Sequence, residues 1–108
     1  MDSASYVLTE ILAEHAATGA MWHEFLRVPD LSVGVYVIPA GGDDPQSPHN
    51  EDEVYVVLSG KGMLRAGDDE YAVEPGSVLY VAKQVPHHFH AVTEALRVLV
   101  FFAPAHTD

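Results

Sequence analysis

Along residues 6–17 the apolar side chains Val7, Leu8, Ile11, Leu12 and Ala16 recur at intervals of three and four, with Glu10 and Glu14 on the other side. That spacing predicts a short amphipathic helix. Ser3 or Ser5 is placed to cap its start, and Gly19 to end it. His15 falls within this helix and reads as a surface residue. Beyond Gly19 the period drops to that of strands. Residues 22–28 and the Val-rich 31–38 read as two strands, closed by Pro29-Asp30 and by Pro39-Ala40-Gly41-Gly42. The stretch 41–50 is polar, carries Pro45 and Pro48, and reads as a loop or irregular edge. Residues 53–58 are a further strand, with Ser59-Gly60-Lys61-Gly62 as its turn. Residues 63–66 and 70–73 flank Gly67-Asp68-Asp69 as a hairpin, and 77–81 follows the turn Glu74-Pro75-Gly76. A last pair, 87–92 and 96–102, surrounds Thr93-Glu94-Ala95, and the final residues, with His106, read as a frayed tail. About eight or nine short strands at close, even spacing predict an all-β sandwich or barrel, not a parallel α/β sheet.

Length and composition narrow this further. A chain of 108 residues fits one domain. The division expected is a helical segment at 1–20 and a β-barrel domain at 21–108. With no cysteine, disulfides and thiolate metal sites are excluded, so any metal is held by nitrogen and oxygen. Five basic against sixteen acidic residues give a formal charge of -11. That argues against a nucleic acid partner, which demands a basic surface, and against anionic membranes. Residues 1–20 lack a basic start and hold two glutamates, unlike a signal peptide, and no apolar run nears the ~20 residues of a membrane span. A soluble, cytoplasmic protein is the expectation. Phosphate loops and Ser-His-Asp arrangements are absent from the sequence.

The chemistry concentrates in two stretches: Ser47 to Gly60, with His49, Glu51, Asp52 and Glu53, and Val85 to His90, with His87, His88 and His90. On a straight strand His49 and Glu53 lie about 13 Å apart, too far to share an ion whose ligands sit ~2.0–2.3 Å away. The chain must bend at Asn50, Glu51 and Asp52, so that His49 ends one strand and Glu53 begins the next. The third ligand must then come from a distant strand. His87 is the best candidate: Pro86 fixes the backbone before it, Phe89 shares its face, and His88 and His90 point the other way. On residues alone, a loop histidine beside a solvated acidic run and a polar edge strand fit these stretches too.

These residues carry a resemblance to the cupin superfamily, in particular to small single-domain cupins. His49, Glu53 and Gly60 match the second His, the Glu and the closing Gly of its first motif. Pro75-Gly76, then Val85-Pro86 and His87, match its second. The motifs cover residues 40–91. Departures are Ser47 where the first His usually stands, with only Gln46 beside it, Ala82 and Gln84 for a common Pro and Gly, and Ala91 for a frequent Asn. The resemblance implies a double-stranded β-helix, or jelly-roll barrel, with a divalent ion on His49, Glu53 and His87. Iron, manganese, zinc and nickel all suit such a set.

The resemblance further implies a small polar or aromatic ligand or substrate and a metal-dependent oxygenase or isomerase, or, with Ser47 breaking the usual four-ligand set, a non-catalytic binding or sensing cupin. Tyr55 is the candidate proton donor or substrate contact. If Glu53 points inward, so do Tyr55 and Val57, leaving Val54, Val56 and Leu58 on the other face. That apolar outer face is either buried against more of the chain or the seam of a homodimer. Phe89 and Phe101 either wall a cavity or fill the core, and Arg27, Arg65 and Arg97 read as surface charges.

Overall fold

The computed structural model describes residues 2–45 and 48–107. One helix, α1 (Leu8–Thr18), precedes six strands: β1 (Trp22–Val28), β2 (Leu31–Ile38), β3 (Asp52–Ala66), β4 (Asp69–Val73), β5 (Val78–Val81) and β6 (His87–Ala103). All ladders are antiparallel, in the order β1-β2-β6-β3-β4, with β5 on β3. β1 and β4 end that order, so the barrel is open and not closed by hydrogen bonds. The fold is all-β with one short helix.

The eight expected strand segments are present, but two expected turns are not. Residues 59–62 continue β3, and residues 93–95 continue β6. The two long strands pair along their whole length, from Asp52↔Ala103 to Ala66↔His87, with register shifts between Val57 and Met63. Bulges of this kind bend a ribbon without ending it. Gly60, at φ 95°, is the pivot: a side chain there would strike the Ala95 carbonyl. Turn-forming residues thus serve as bulges, because the partner strand supplies hydrogen bonds on both sides of the bend.

The bend folds the ribbon's two halves toward each other. One half carries β5, β2 and β1, and the other carries β4. Their inward residues meet in one core, among them Tyr55, Val57, Leu64, Val73, Phe89, Val98 and Val100. Burying each such aliphatic or aromatic side chain contributes about 1.5–3 kcal/mol.

The helix starts at Val7, with no side-chain cap from Ser3 or Ser5, and ends at Gly19 with φ 69°. His15 is not a surface residue. It is 2% exposed, its Nε2 is 2.7 Å from the Ala20 carbonyl, and its ring stacks on His23 at 5.5 Å. The tail is not frayed. Ala105 N donates to the Pro29 carbonyl, His106 N to Ser32 Oγ at 2.9 Å, and Arg27 to the His106 carbonyl at 2.7 Å. No helix among the described residues is long and apolar enough to cross a membrane.

Candidate metal centre

His49 does not end a strand. It lies in coil immediately before the bend at Asn50 and Glu51 that leads into β3. Its position is set by the segment ahead of β6: Gln84 N donates to the His49 carbonyl at 2.7 Å, and Lys83 N to Asp52 Oδ1 at 2.9 Å. The segment before His87 therefore clasps the segment that carries His49. Glu53 is the first inward residue of β3, opposite Val81 and Phe102. His87 opens β6, buried on the same face as Phe89, while His88 and His90 face outward.

The structure brings the three sequence candidates together. His49 Nε2 lies 3.3 Å from Glu53 Oε1, and His87 Nε2 lies 3.6 Å from Glu53 Oε2. One donor atom from each residue falls within 4.8 Å of the others. Ligands on a sphere of about 2.1 Å radius stand about 3.0 Å apart at right angles and about 3.4 Å apart in a tetrahedron. The two spacings to Glu53 lie near these values for such a sphere.

The hydrogen bonding fits it as well. Glu53 is 1% exposed, and among the described residues neither carboxylate oxygen has a hydrogen-bond partner; nor does His87 Nε2. Buried polar atoms are ordinarily paired, so three orphans aimed at one point mark a place where something else completes them. His87 Nδ1 is 2.8 Å from the Val85 carbonyl. A carbonyl only accepts, so Nδ1 carries the proton and the Nε2 lone pair of the neutral ring faces Glu53. Burial lowers the His49 imidazole below its ordinary pKa, against the pull of Glu53, and keeps it in the neutral form that binds metal. For His87, burial acts downward too, but Glu53 and the Val85 carbonyl outweigh it and raise the value. At 3.6 Å the Glu53 contact is too long for a hydrogen bond, so the share of Glu53 is an attraction between charges, beside the Val85 hydrogen bond.

Beside His49 opens an apolar cavity of about 110 Å³, lined by Trp22, Tyr36, His49, Val100, Phe102 and His106. It is somewhat smaller than the ~150 Å³ cavity that takes up benzene. Trp22 lies against Gly34, where any side chain would collide with its ring. Tyr36 is tied back by its hydroxyl, which donates to Asp44 at 2.7 Å, and its pKa is pushed up by burial and by that carboxylate.

Tyr55 is fully buried, 6.1 Å ring to ring from His87, and lies outside the cavity lining. Phe89 fills the core, whereas Phe101 turns outward and its neighbour Phe102 walls the cavity. Arg27 and Arg65 pair at the surface with Glu24 and Glu70. Ser47 and Gln46 lie outside the described residues. Sequence reasoning passed over His106, which reaches the site through long-range pairing of the tail that no local pattern announces.

Comparisons with known proteins place the fold. The family model described as "Cupin domain" matches residues 34–102. An uncharacterized protein of Streptomyces coelicolor is 45% identical over 100 residues, 93% of this chain and 95% of that one. An RmlC-like cupin protein from Desulfovibrio desulfuricans superposes with a TM-score of 0.66 at 29% identity, over 77% of this chain and 80% of its own. The Cnp3 cupin domain of Schizosaccharomyces pombe gives 0.69 at 19% identity, over 77% of this chain and 63% of that one, a likeness of fold alone.

Proposed function

The chain belongs to the cupin domain family, and from that premise we propose that it holds a divalent metal ion on His49, Glu53 and His87 and acts on a small molecule seated in the adjoining cavity. The observation that carries this reading is Glu53, a buried carboxylate whose two oxygens lack hydrogen-bond partners among the described residues while two imidazole nitrogens stand 3.3 and 3.6 Å away. Two imidazoles and one carboxylate suit iron, manganese, zinc or nickel, and a bound ion would supply Lewis acidity or, if redox-active, oxygen chemistry of the oxygenase or isomerase kind.

The chain's own residues do the rest. The Val85 carbonyl fixes the His87 tautomer. Trp22, Val100 and Phe102 give the space next to His49 an apolar lining. The cavity selects a small apolar or aromatic group and leaves the polar end of the same molecule toward His49, the one donor of the three that lines it. Tyr55, behind His87, is the phenol we assign as proton donor or substrate contact.

Tag-free protein, reloaded with metal and analysed by mass spectrometry, tests the reading. Metal content should fall in both His49→Ala and His87→Ala, and a wild type that takes up no metal refutes it. A second reading, a binding protein without turnover, draws on the cavity itself, into which His49 alone of the three donors reaches. It predicts thermal stabilisation by small aromatic molecules that persists in chelator.

A second copy of the chain is the partner we propose for the outer sheet face. There Val54, Val56 and Phe101 are half-buried, and Val78 and Tyr80 are 69% and 63% exposed. Adjacent exposed apolar side chains on one sheet face are the usual mark of an interaction surface.

A further inference from the structure

A second triad of donors, His49, Glu51 and His106, also brings one donor atom from each residue within 4.8 Å of the others, and it meets the first triad only at His49. From it we infer a second divalent-cation position, held by Glu51 and by His106 of the C-terminal tail and sharing His49 with the first.

Glu51 is as deeply buried as Glu53, at 2% exposure. One of its oxygens accepts from Thr107 Oγ1 at 2.8 Å; the other, Oε1, has no hydrogen-bond partner among the described residues. No lysine or arginine forms an ion pair with either carboxylate among the described residues. Two buried carboxylates two residues apart, without a basic side chain, demand positive charge from elsewhere. An ion on Glu53 still leaves Glu51 Oε1 without a hydrogen-bond partner among the described residues.

The tail is built to present His106. Its N–H is held by Ser32, its carbonyl by Arg27, and the hydroxyl of the next residue by Glu51 itself. The ring is braced on Phe102 at 4.4 Å. The His49 ring lies 5.3 Å from that of His87 and 5.0 Å from that of His106. An imidazole has two ring nitrogens, so His49 can serve both positions, and filling the second releases its remaining ring proton to solvent. The ligand expected is a small divalent ion that favours imidazole and carboxylate together, such as zinc.

Counting ions tests this. Tag-free protein carrying His88→Gln and His90→Gln, to remove the exposed histidines beside Glu70, is saturated with zinc, freed of loose metal and analysed by plasma mass spectrometry. The background protein is expected to hold two ions. His106→Gln, Glu51→Gln and His87→Ala are each expected to hold one. His106 and Glu51 lie on different segments, so loss of fold in one variant leaves the other as the test, with circular dichroism as the check. A background count of one that survives His106→Gln and vanishes in His87→Ala overturns the second position and leaves the first standing. A count of one that vanishes in His106→Gln and survives His87→Ala supports the second position and refutes the first.

Discussion

Glu53→Gln separates a metal ligand from an ordinary structural acid. In the metal-free protein Glu53 is a buried carboxylate whose two oxygens have no hydrogen-bond partner among the described residues, with two imidazoles near by. Leaving a buried polar atom unsatisfied costs about 1–3 kcal/mol, more when the group is charged. Glutamine keeps the shape and removes the charge. Its amide N–H can donate to the lone pair of His87 Nε2, which the Val85 hydrogen bond leaves free. The metal-free variant should therefore be as stable as the wild type or more stable by about 1–2 kcal/mol, opposite in sign to most changes at a buried position.

Metal reverses the ranking. An ion at about 100 times its dissociation constant stabilises the folded wild type by about 2.7 kcal/mol. At roughly 4 °C or more per kcal/mol for a domain near this size, the melting temperature rises by about 10 °C or more. The variant has lost the only anionic donor of the first triad and should rise by clearly less than the wild type, any remaining rise coming from the position on Glu51 and His106. Differential scanning fluorimetry in chelator and in added zinc, manganese or iron reads both halves. A variant less stable than wild type in chelator, yet still raised by metal as far as the wild type, refutes the reasoning: Glu53 would then be a structural acceptor and the ion would lie elsewhere.

Three further outcomes are expected. Gly60→Ala forces a side chain at φ 95° against the Ala95 carbonyl and should destabilise by about 3 kcal/mol in urea unfolding. His15 is buried, and its pKa is lowered from 6.5 first by burial and then by His23 and Arg97, against the Ala20 carbonyl; the unfolded chain thus binds the proton more readily, so the His15 contribution to stability is complete above pH 6.5 and is lost as pH falls below it. Comparison with His15→Gln across that range should show a flatter pH profile in the variant. Tyr80→Asp places a charge in the exposed apolar face and should give a monomer by light scattering where the wild type gives a dimer; a monomeric wild type refutes the proposed partner.

The start of β3 and most of β6 were legible because burial there alternates with a period of two, whereas β1 and β2, which do not alternate, were legible from their bounding turns. Chain reversals were harder. Ser59-Gly60-Lys61-Gly62 and Thr93-Glu94-Ala95 have the composition of turns, and composition does not distinguish a turn from a bulge. Which one forms depends on whether a partner strand continues past it, a nonlocal fact. The same limit hid His106 and His15. Each is held from outside its own element: the tail by the Ser32 hydroxyl and the Pro29 carbonyl, far along the chain, and His15 by the Ala20 carbonyl, beyond a helix end that itself depends on packing. His49, Glu53 and His87 could be singled out because chemistry restricts which residue types hold a metal, although the coil position of His49 differs from the strand end that the spacing argument required.

The ribbon's bend is what turns that residue set into a site. In the ladder, Glu53 stands opposite Phe102 and His87 opposite Ala66. On a flat ribbon the thirteen residues from Glu53 to Ala66 would hold those two rungs about 43 Å apart. In the folded protein the Glu53 carboxylate and the His87 imidazole are 3.6 Å apart. The distance is closed by the bulges between Val57 and Met63 and by Ala91 at φ 48° on the other strand. Donor geometry is thus set by backbone conformation far from the donors, and a change at Gly60 that opens the bend should weaken metal retention before it alters any residue that touches the ion. The clasp of Gln84 and Lys83 on the His49 segment then fixes the third donor against a pair that the ribbon has already brought together.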